Sequence, residues 1–284
     1  SSLAFGNTCV IKPSEYKPLS ILRMVSLLEE AGLPAGTINV INGSGGVTGA
    51  ALAASPDIDR IAFTGGGATA RQVMAAACEH LTPVHFELGG KSGNIVFDDA
   101  NFERAVDGSL VNIFSNSGQI CIAGSRILVQ RGIAERFIDA FVARTRSLII
   151  GSPLDPTTEV GPMAFKAHQQ RVLDHIARAT SEGATLLCGG EAPTNLGGGY
   201  FIAPTVFQVK SNDLALCQEE VFGPVVSIQI FDNDEEALSI ANDSRYGLVG
   251  YCWTNSLART QAFQRQVDAG TLWINTPLAR DLRA

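Results

Sequence analysis

The chain has 284 residues, 45% of them hydrophobic and 17% charged, which is ample material for one or two packed domains. Its net charge is −7 and no basic run interleaves with aromatics, which argues against a nucleic-acid partner. No apolar stretch approaches the ~20 residues of a membrane-spanning helix, and no basic segment precedes an apolar one at the start, so the expectation is a cytoplasmic protein with neither membrane nor signal segment.

The elements alternate along the chain. "TCVI" (8–11) reads as a strand, and 18–31 as a helix with Ile21, Leu22, Val25 and Leu28 on one face, opened by Pro18 and stopped by Gly32 and Pro34. A strand at 37–41, a small-residue helix at 47–54, a strand at 60–64, a helix at 68–80 and a strand at 83–88 complete the first stretch. This spacing implies βαβ units and a parallel sheet, with sites at the carboxyl ends of strands. Beyond Gly89-Gly90, strands are expected at 94–97, 126–130, 184–188, 205–209, 225–231, 249–253 and 271–275, and helices at 101–114, 133–147, 164–182, 234–242 and 256–268. The reading is therefore an α/β protein of two domains, 1–89 and 90–284, without an internal repeat.

Six cysteines, at 9, 78, 121, 188, 217 and 252, form no C-x-x-C pair and read as reduced thiols, most of them small buried hydrophobes. The histidines at 80, 85, 168 and 175 have no zinc spacing, and no metal site is expected.

"FTGGGATAR" (63–71) runs a strand into three glycines and a helix. Gly65, Gly67 and Ala70 match G-x-G-x-x-G/A, in which bare backbone and free helix-start N–H groups admit a phosphate; the alternative is an ordinary glycine-rich turn. That fingerprint expects an acidic ribose ligand about 20 residues on. Glu87 stands there, so it is either that ligand or something else. "GQICIAGSR" (118–126) raises the parallel question of whether Cys121 is a buried thiol or a presented nucleophile.

Four segments in order, "VIKPSE" (10–15), "FELGGKSGNIVF" (86–97), "GQICIAGSR" (118–126) and "EEVFGPVVSI" (219–228), together with "YGLVGYCWT" (246–254) and "AGTLWIN" (269–275), resemble the NAD(P)-dependent aldehyde dehydrogenase superfamily over essentially the whole chain. The resemblance implies an aldehyde dehydrogenase-like fold: a partial Rossmann-type cofactor domain at 1–89 and an α/β catalytic domain at 90–284. It implies that Cys121 is the nucleophile and Glu87 the general base rather than a ribose ligand. Glu15 and Lys12 would line the adenosine ribose, Gly65 and Gly66 the phosphates, Leu88 the cofactor, Glu220 the nicotinamide ribose, and Phe222 the nicotinamide. A thiolate adding to an aldehyde gives a thiohemiacetal, whose oxidation leaves a thioester that Glu87-activated water hydrolyses to a carboxylic acid. An ordinary thiol is mostly protonated at neutral pH, and Glu87, a helix start or the cofactor's charge are candidates for activating it. The Cys121 N–H is suited to an oxyanion hole.

A carboxylate at Glu15 holding ribose hydroxyls would repel a 2′-phosphate, so the expected cofactor is NAD rather than NADP; the alternative is a solvated Glu capping the following helix. Gly66 stands where the family usually has a serine, which removes a hydroxyl from the phosphate turn. The resemblance also implies missing segments at both ends, hence a piece of a longer enzyme that is a homodimer or homotetramer when whole. A piece taken alone would expose an unpaired sheet edge. Arg280 and Arg283 lie where the family lines its substrate tunnel, and a similar segment occurs among relatives acting on muconate-type semialdehydes, whose carboxylate a guanidinium would hold; the alternative is a surface Arg pair. Competing readings are a CoA-acylating relative, to which Glu87 would be unnecessary, and a non-catalytic structural relative, against which the pairing of Cys121 with Glu87 argues. A cofactor-free cysteine hydrolase is weaker still, since no histidine pairs recognisably with Cys121.

Overall fold

The computed structural model describes residues 2–278, which form two compact units, 1–88 and 89–284 in chain terms. In the first, β1 (Cys9–Ile11) pairs in parallel with β2 (Ile38–Val40), and β3 (Ile61–Thr64) with β4 (Val84–Glu87). The strands thus make two separate parallel pairs instead of one sheet. Helix α1 (Leu19–Glu30) connects β1 to β2, a π-turn at Gly45–Gly49 runs into α2 (Ala50–Ala53), and α3 (Gly67–Cys78) connects β3 to β4. On the face of α1 expected from the sequence, Ile21, Val25 and Leu28 are half-buried while Leu22 is exposed.

The second unit carries a seven-stranded sheet. Its strands are β5 (Gly93–Val96), β6 (Arg126–Gln130), β7 (Thr185–Cys188), β8 (Thr205–Val209), β9 (Val225–Phe231), β10 (Val249–Trp253) and β11 (Thr271–Ile274), in the order β11-β10-β5-β6-β9-β8-β7. Helices α4 (Phe102–Phe114), α5 (Ala134–Ser147), α6 (Lys166–Ser181), α7 (Ala215–Gln218), α8 (Asp234–Asn242) and α9 (Leu257–Gln266) lie among them in sequence. Successive strand residues point to opposite faces. Val96 and Val129 therefore join Val106, Ile113, Phe137 and Phe141 of α4 and α5. Their neighbours Ile95 and Leu128 join Leu238 and Phe263 of α8 and α9 on the other side. Each such buried side chain contributes about 1.5–3 kcal/mol. Coverage on both faces explains why these strands read as continuous apolar runs instead of alternating ones.

Helix starts follow from capping chemistry. The side chains of Asn101, Asn233 and Ser256 accept the backbone N–H three residues on, at 3.2, 2.9 and 3.3 Å. Glu236 reaches back to the Asp232 N–H at 2.7 Å, and α8 begins with three acidic residues at its positive end.

The sheet is mixed rather than wholly parallel. β7 runs antiparallel to β8, because the connection from Cys188 to Thr205 holds turns and no crossover helix. The short α7 has no counterpart among the elements expected from the sequence; at four residues it is below the length at which periodicity speaks.

Candidate active site

In the first unit, the Lys12 ammonium donates to the carbonyls of Pro13 (2.6 Å) and Gly43 (3.1 Å) and lies 4.0 Å from the Glu15 carboxylate. Glu15 itself is largely exposed. α1 begins after Pro18 with no side-chain cap, so Glu15 does not serve as one. At the glycine run, the Gly65 N–H donates to the Glu87 carbonyl (3.1 Å), extending the β3–β4 ladder by one rung. Gly66 caps α3 in an extended conformation and contributes no side-chain cap, and a Cβ on Gly66 or Gly67 would meet nothing within 4 Å. Glu87 ends β4, and its exposed carboxylate lies 3.2 Å from the His85 imidazole on the same strand face.

In the second unit, the segment before Cys121 makes an unusual turn. Asn116, Ser117 and Gly118 are all left-handed, with φ of 49°, 57° and 70°. For the two residues carrying Cβ this costs roughly 1–2 kcal/mol each, and side chains offset it. Asn116 donates to the Gln119 carbonyl (3.0 Å) and Ser117 to the Gly161 carbonyl (2.9 Å). Gln119 donates to the Pro162 carbonyl (3.3 Å) and accepts from the Ala164 N–H (3.0 Å). At Gly118 a Cβ would sit 2.1 Å from the Gly223 carbonyl oxygen, so only glycine lets the two loops meet. Cys121 is half-buried beside an apolar cluster of Ile122, Val249 and Tyr251, whose hydroxyl donates to the Ile122 carbonyl at 2.6 Å.

Two further segments reach the same place. A Cβ on Gly90 would lie 2.5 Å from the Cys121 carbonyl oxygen, and one on Gly89 2.2 Å from a Glu220 carboxylate oxygen. Glu220 accepts the Gly90 N–H at 3.2 Å. Burial pushes its carboxyl up, against the pull of that N–H and of the Lys91 charge. A cleft within this unit is lined by Gly90, Gly118, Ile120, Glu220, Phe222 and Gly223. Phe222 is itself left-handed at φ 56°, with its carbonyl 2.7 Å from Nε2 of His168. Arg171 lies 3.1 Å from Nδ1 of the same ring. A guanidinium only donates, so that contact makes Nδ1 the acceptor and leaves Nε2–H to donate to Phe222.

Of the sequence-predicted residues, Cys121, Glu220 and Phe222 lie in the second unit together. Lys12, Glu15, Gly65, Gly66, Glu87 and Leu88 lie in the first. Arg280 and Arg283 lie outside the described residues.

Three supporting residues have no functional role among the sequence expectations. Arg126 is fully buried and donates to the carbonyls of Lys91 (2.9 Å), Ile240 (2.7 Å) and Ala241 (2.8 Å) and to the Asn212 amide oxygen (3.0 Å). An arginine opening the apolar run "RILVQ" was its signal. His168 shares the buried face of α6 with Val172, Ile176 and Ala179, a series spaced by helical turns that was equally readable. Lys91 had no signal beyond its place beside two glycines. Among the described residues no cluster of His, Cys, Asp and Glu could hold a metal, all six cysteines are free, and no helix is long and apolar enough to cross a membrane.

A model of the aldehyde dehydrogenase family matches residues 1–284. The chain belongs to that family. It is 45% identical over 276 residues to a betaine aldehyde dehydrogenase of Agrobacterium fabrum, covering 97% of this chain and 56% of the relative. It is 40% identical over 286 residues to a 2-hydroxymuconic semialdehyde dehydrogenase of Pseudomonas sp. strain CF600, covering 99% and 59%. Among solved family structures, PnpE from Pseudomonas sp. WBC-3 superposes with a TM-score of 0.96 at 46% identity over 98% of this chain and 57% of that one. The Staphylococcus aureus betaine aldehyde dehydrogenase in complex with NAD+ gives 0.95 at 40% identity, over 99% and 56%. The chain thus spans little more than half the length of the relatives it matches.

Proposed function

We propose that the protein of which this chain is part oxidises an aldehyde to a carboxylic acid with NAD, using Cys121 as nucleophile and Glu87 as general base. What carries the reading is the meeting, in the second unit, of the Cys121 turn, the Gly89-Gly90 pair and the Glu220–Phe222 segment. Gly118 and the Gly89-Gly90 pair give up side chains so that three segments far apart in sequence approach one another, next to a half-buried thiol. A fully buried cysteine would need none of this.

Each unit, taken by itself, carries residues suited to part of a dinucleotide. The start of α3, capped by no side chain of Gly66, suits a phosphate, as helix N-termini do. Glu15 and Glu220 are carboxylates suited to ribose hydroxyls, and Lys12 is anchored by two carbonyls beside Glu15. Bound NAD supplies the hydride acceptor. Cys121 supplies the rest of the first half-reaction: its sulfur, once deprotonated, adds to the carbonyl carbon, the oxygen becomes an alkoxide that backbone N–H groups are suited to stabilise, and loss of the C–H pair as hydride to the acceptor leaves a thioester on sulfur. Glu87 then takes a proton from water as that water attacks the thioester carbonyl, and the Cys121 thiolate leaves. An exposed carboxylate whose only described hydrogen-bond partner is an exposed histidine is free to meet water. That favours hydrolysis over acyl transfer to CoA.

The aldehyde is open between two chemistries. Betaine aldehyde is cationic and 2-hydroxymuconic semialdehyde is anionic, and relatives named for each lie at similar identity. A carboxylate-bearing semialdehyde is the reading that Arg280 and Arg283 favour. The test is an NADH-formation screen of the intact protein with aliphatic, aromatic, quaternary-ammonium and carboxylate-bearing aldehydes. Turnover concentrated on the last class is expected; no NAD reduction with any class would overturn the proposal.

A further inference from the structure

Tyr251 lies in the middle of β10, fully buried, paired with Asn94 of β5 on one side and Trp273 of β11 on the other. Its ring stacks on the Trp273 indole, with centroids 5.1 Å apart and planes 18° from parallel. A Cβ on Gly124 would meet the edge of the same ring at 3.4 Å. The phenol is therefore held in one direction by the sheet. Its hydroxyl donates at 2.6 Å to the carbonyl of Ile122, the residue after Cys121. A buried tyrosine needs such a partner, and here the partner is the backbone of the candidate nucleophile's own turn.

That turn has little else to fix it. Cys121 and Ile122 are its two central residues, and the Ala123 N–H closes it on the Ile120 carbonyl at 3.1 Å. It belongs to no helix or strand. In a trans peptide the carbonyl and the N–H point opposite ways. The peptide from Ile122 to Ala123 is thus gripped at both ends, by Tyr251 on its oxygen and by Ile120 on its N–H. The peptide before it has its oxygen, that of Cys121, packed where a Cβ on Gly90 would lie 2.5 Å away. Neither peptide that follows Cys121 turns over without losing one of these contacts.

We propose that Tyr251 is a positioning residue for the nucleophile: its hydroxyl ties the Cys121 turn to a central strand and so fixes the direction in which the thiol is presented. The proposal rests on the reading of Cys121 as the nucleophile. Addition to a carbonyl needs the sulfur about 3–3.5 Å from the carbon and aligned with it, and a misplacement of about 1 Å costs on the order of 10²-fold. Sites borne on strands are held more precisely than sites on loops, and the phenol lends the turn the rigidity of β10. Tyr251 acts through the Ile122 backbone, not on the aldehyde itself.

Tyr251→Phe keeps the ring and its stack and removes only the hydroxyl. The experiment compares the intact wild-type protein, Tyr251→Phe, and protein carrying p-aminophenylalanine at position 251, whose amino group can again donate to the Ile122 carbonyl. Amide hydrogen exchange follows the Ala123 N–H, and rapid mixing with NAD and an aldehyde substrate follows the first turnover. One buried hydrogen bond is worth up to about tenfold, so the Ala123 N–H of Tyr251→Phe should exchange roughly tenfold faster. The NADH burst should slow by about ten- to a hundredfold, with NAD affinity unchanged, and p-aminophenylalanine should restore both exchange and burst. A hydroxyl that only stabilises the fold would lower the unfolding midpoint and leave the burst of the folded enzyme as in wild type, and that result overturns the proposal. A slowed burst with Ala123 protected as in wild type overturns it too, because the turn would not have moved. Should Cys121→Ala form NADH as wild type does, the nucleophile reading falls and takes this role of Tyr251 with it.

Discussion

The Glu220 carboxylate accepts the Gly90 N–H at 3.2 Å and lies where any side chain on Gly89 would stand. Gly89→Ala should push Glu220 away, since its Cβ would fall 2.2 Å from an oxygen of that carboxylate. Overpacking of this kind costs typically 1–3 kcal/mol. Denaturant unfolding should register that loss, and NAD affinity should fall with it while the thiol of Cys121 stays reactive toward an alkylating reagent.

Cys121→Ala removes a half-buried thiol at the edge of an apolar cluster, so its effect on folding should be small. NADH formation should disappear while NAD still binds. Turnover at the wild-type rate would remove the nucleophile assignment.

Glu87→Gln keeps the shape of the side chain and its place at the end of β4 beside His85. General base catalysis is worth about 10²–10⁴-fold. Rapid mixing should show a burst of NADH at close to the wild-type rate, followed by a steady state slowed on that scale. A steady state equal to wild type would remove the base assignment.

Lys91 gives a prediction about stability and pH. Its proton is held less tightly in the folded state, where burial lowers it to about 8, than in the unfolded chain, where 10.5 applies. The folded state is therefore relatively most stable above 10.5 and loses stability as pH falls through about 8. At 1.36 kcal/mol per unit, that gap amounts to about 3 kcal/mol. Lys91→Met carries no such penalty, so its stability relative to wild type should rise by about this amount between pH 10.5 and pH 7. A difference that does not vary with pH would contradict the burial cost.

Most of the fold was legible because the chain states it twice. Periodicity gives β5, β6 and β9 as apolar runs, and the structure adds that Asn101, Asn233 and Ser256 cap their helices, residue types that suit that position. The direction of β7 was missed, although the helix-free stretch from Cys188 to Thr205 carried it. The π-turn at Gly45–Gly49 and the four residues of α7 are too short for any period to show. At the candidate site, Cys121, Glu220 and Phe222 were legible through ordered motifs. The residues that hold them were less so, because a supporting residue is defined by what it touches across the fold. His168 betrays itself by a polar residue in a buried helical series. Lys91 does not, because burial of a lysine leaves no trace in its neighbours along the chain.

Arg126 draws its acceptors from the loop before β5, the loop before α7 and the last turn of α8. Those segments cannot drift apart without stripping a buried guanidinium of its bonds, so the ledge beneath Gly90 moves as one piece or not at all. Under the proposed function, adaptation to a new aldehyde would then fall to side chains outside this anchored set, which can be exchanged without unfastening it.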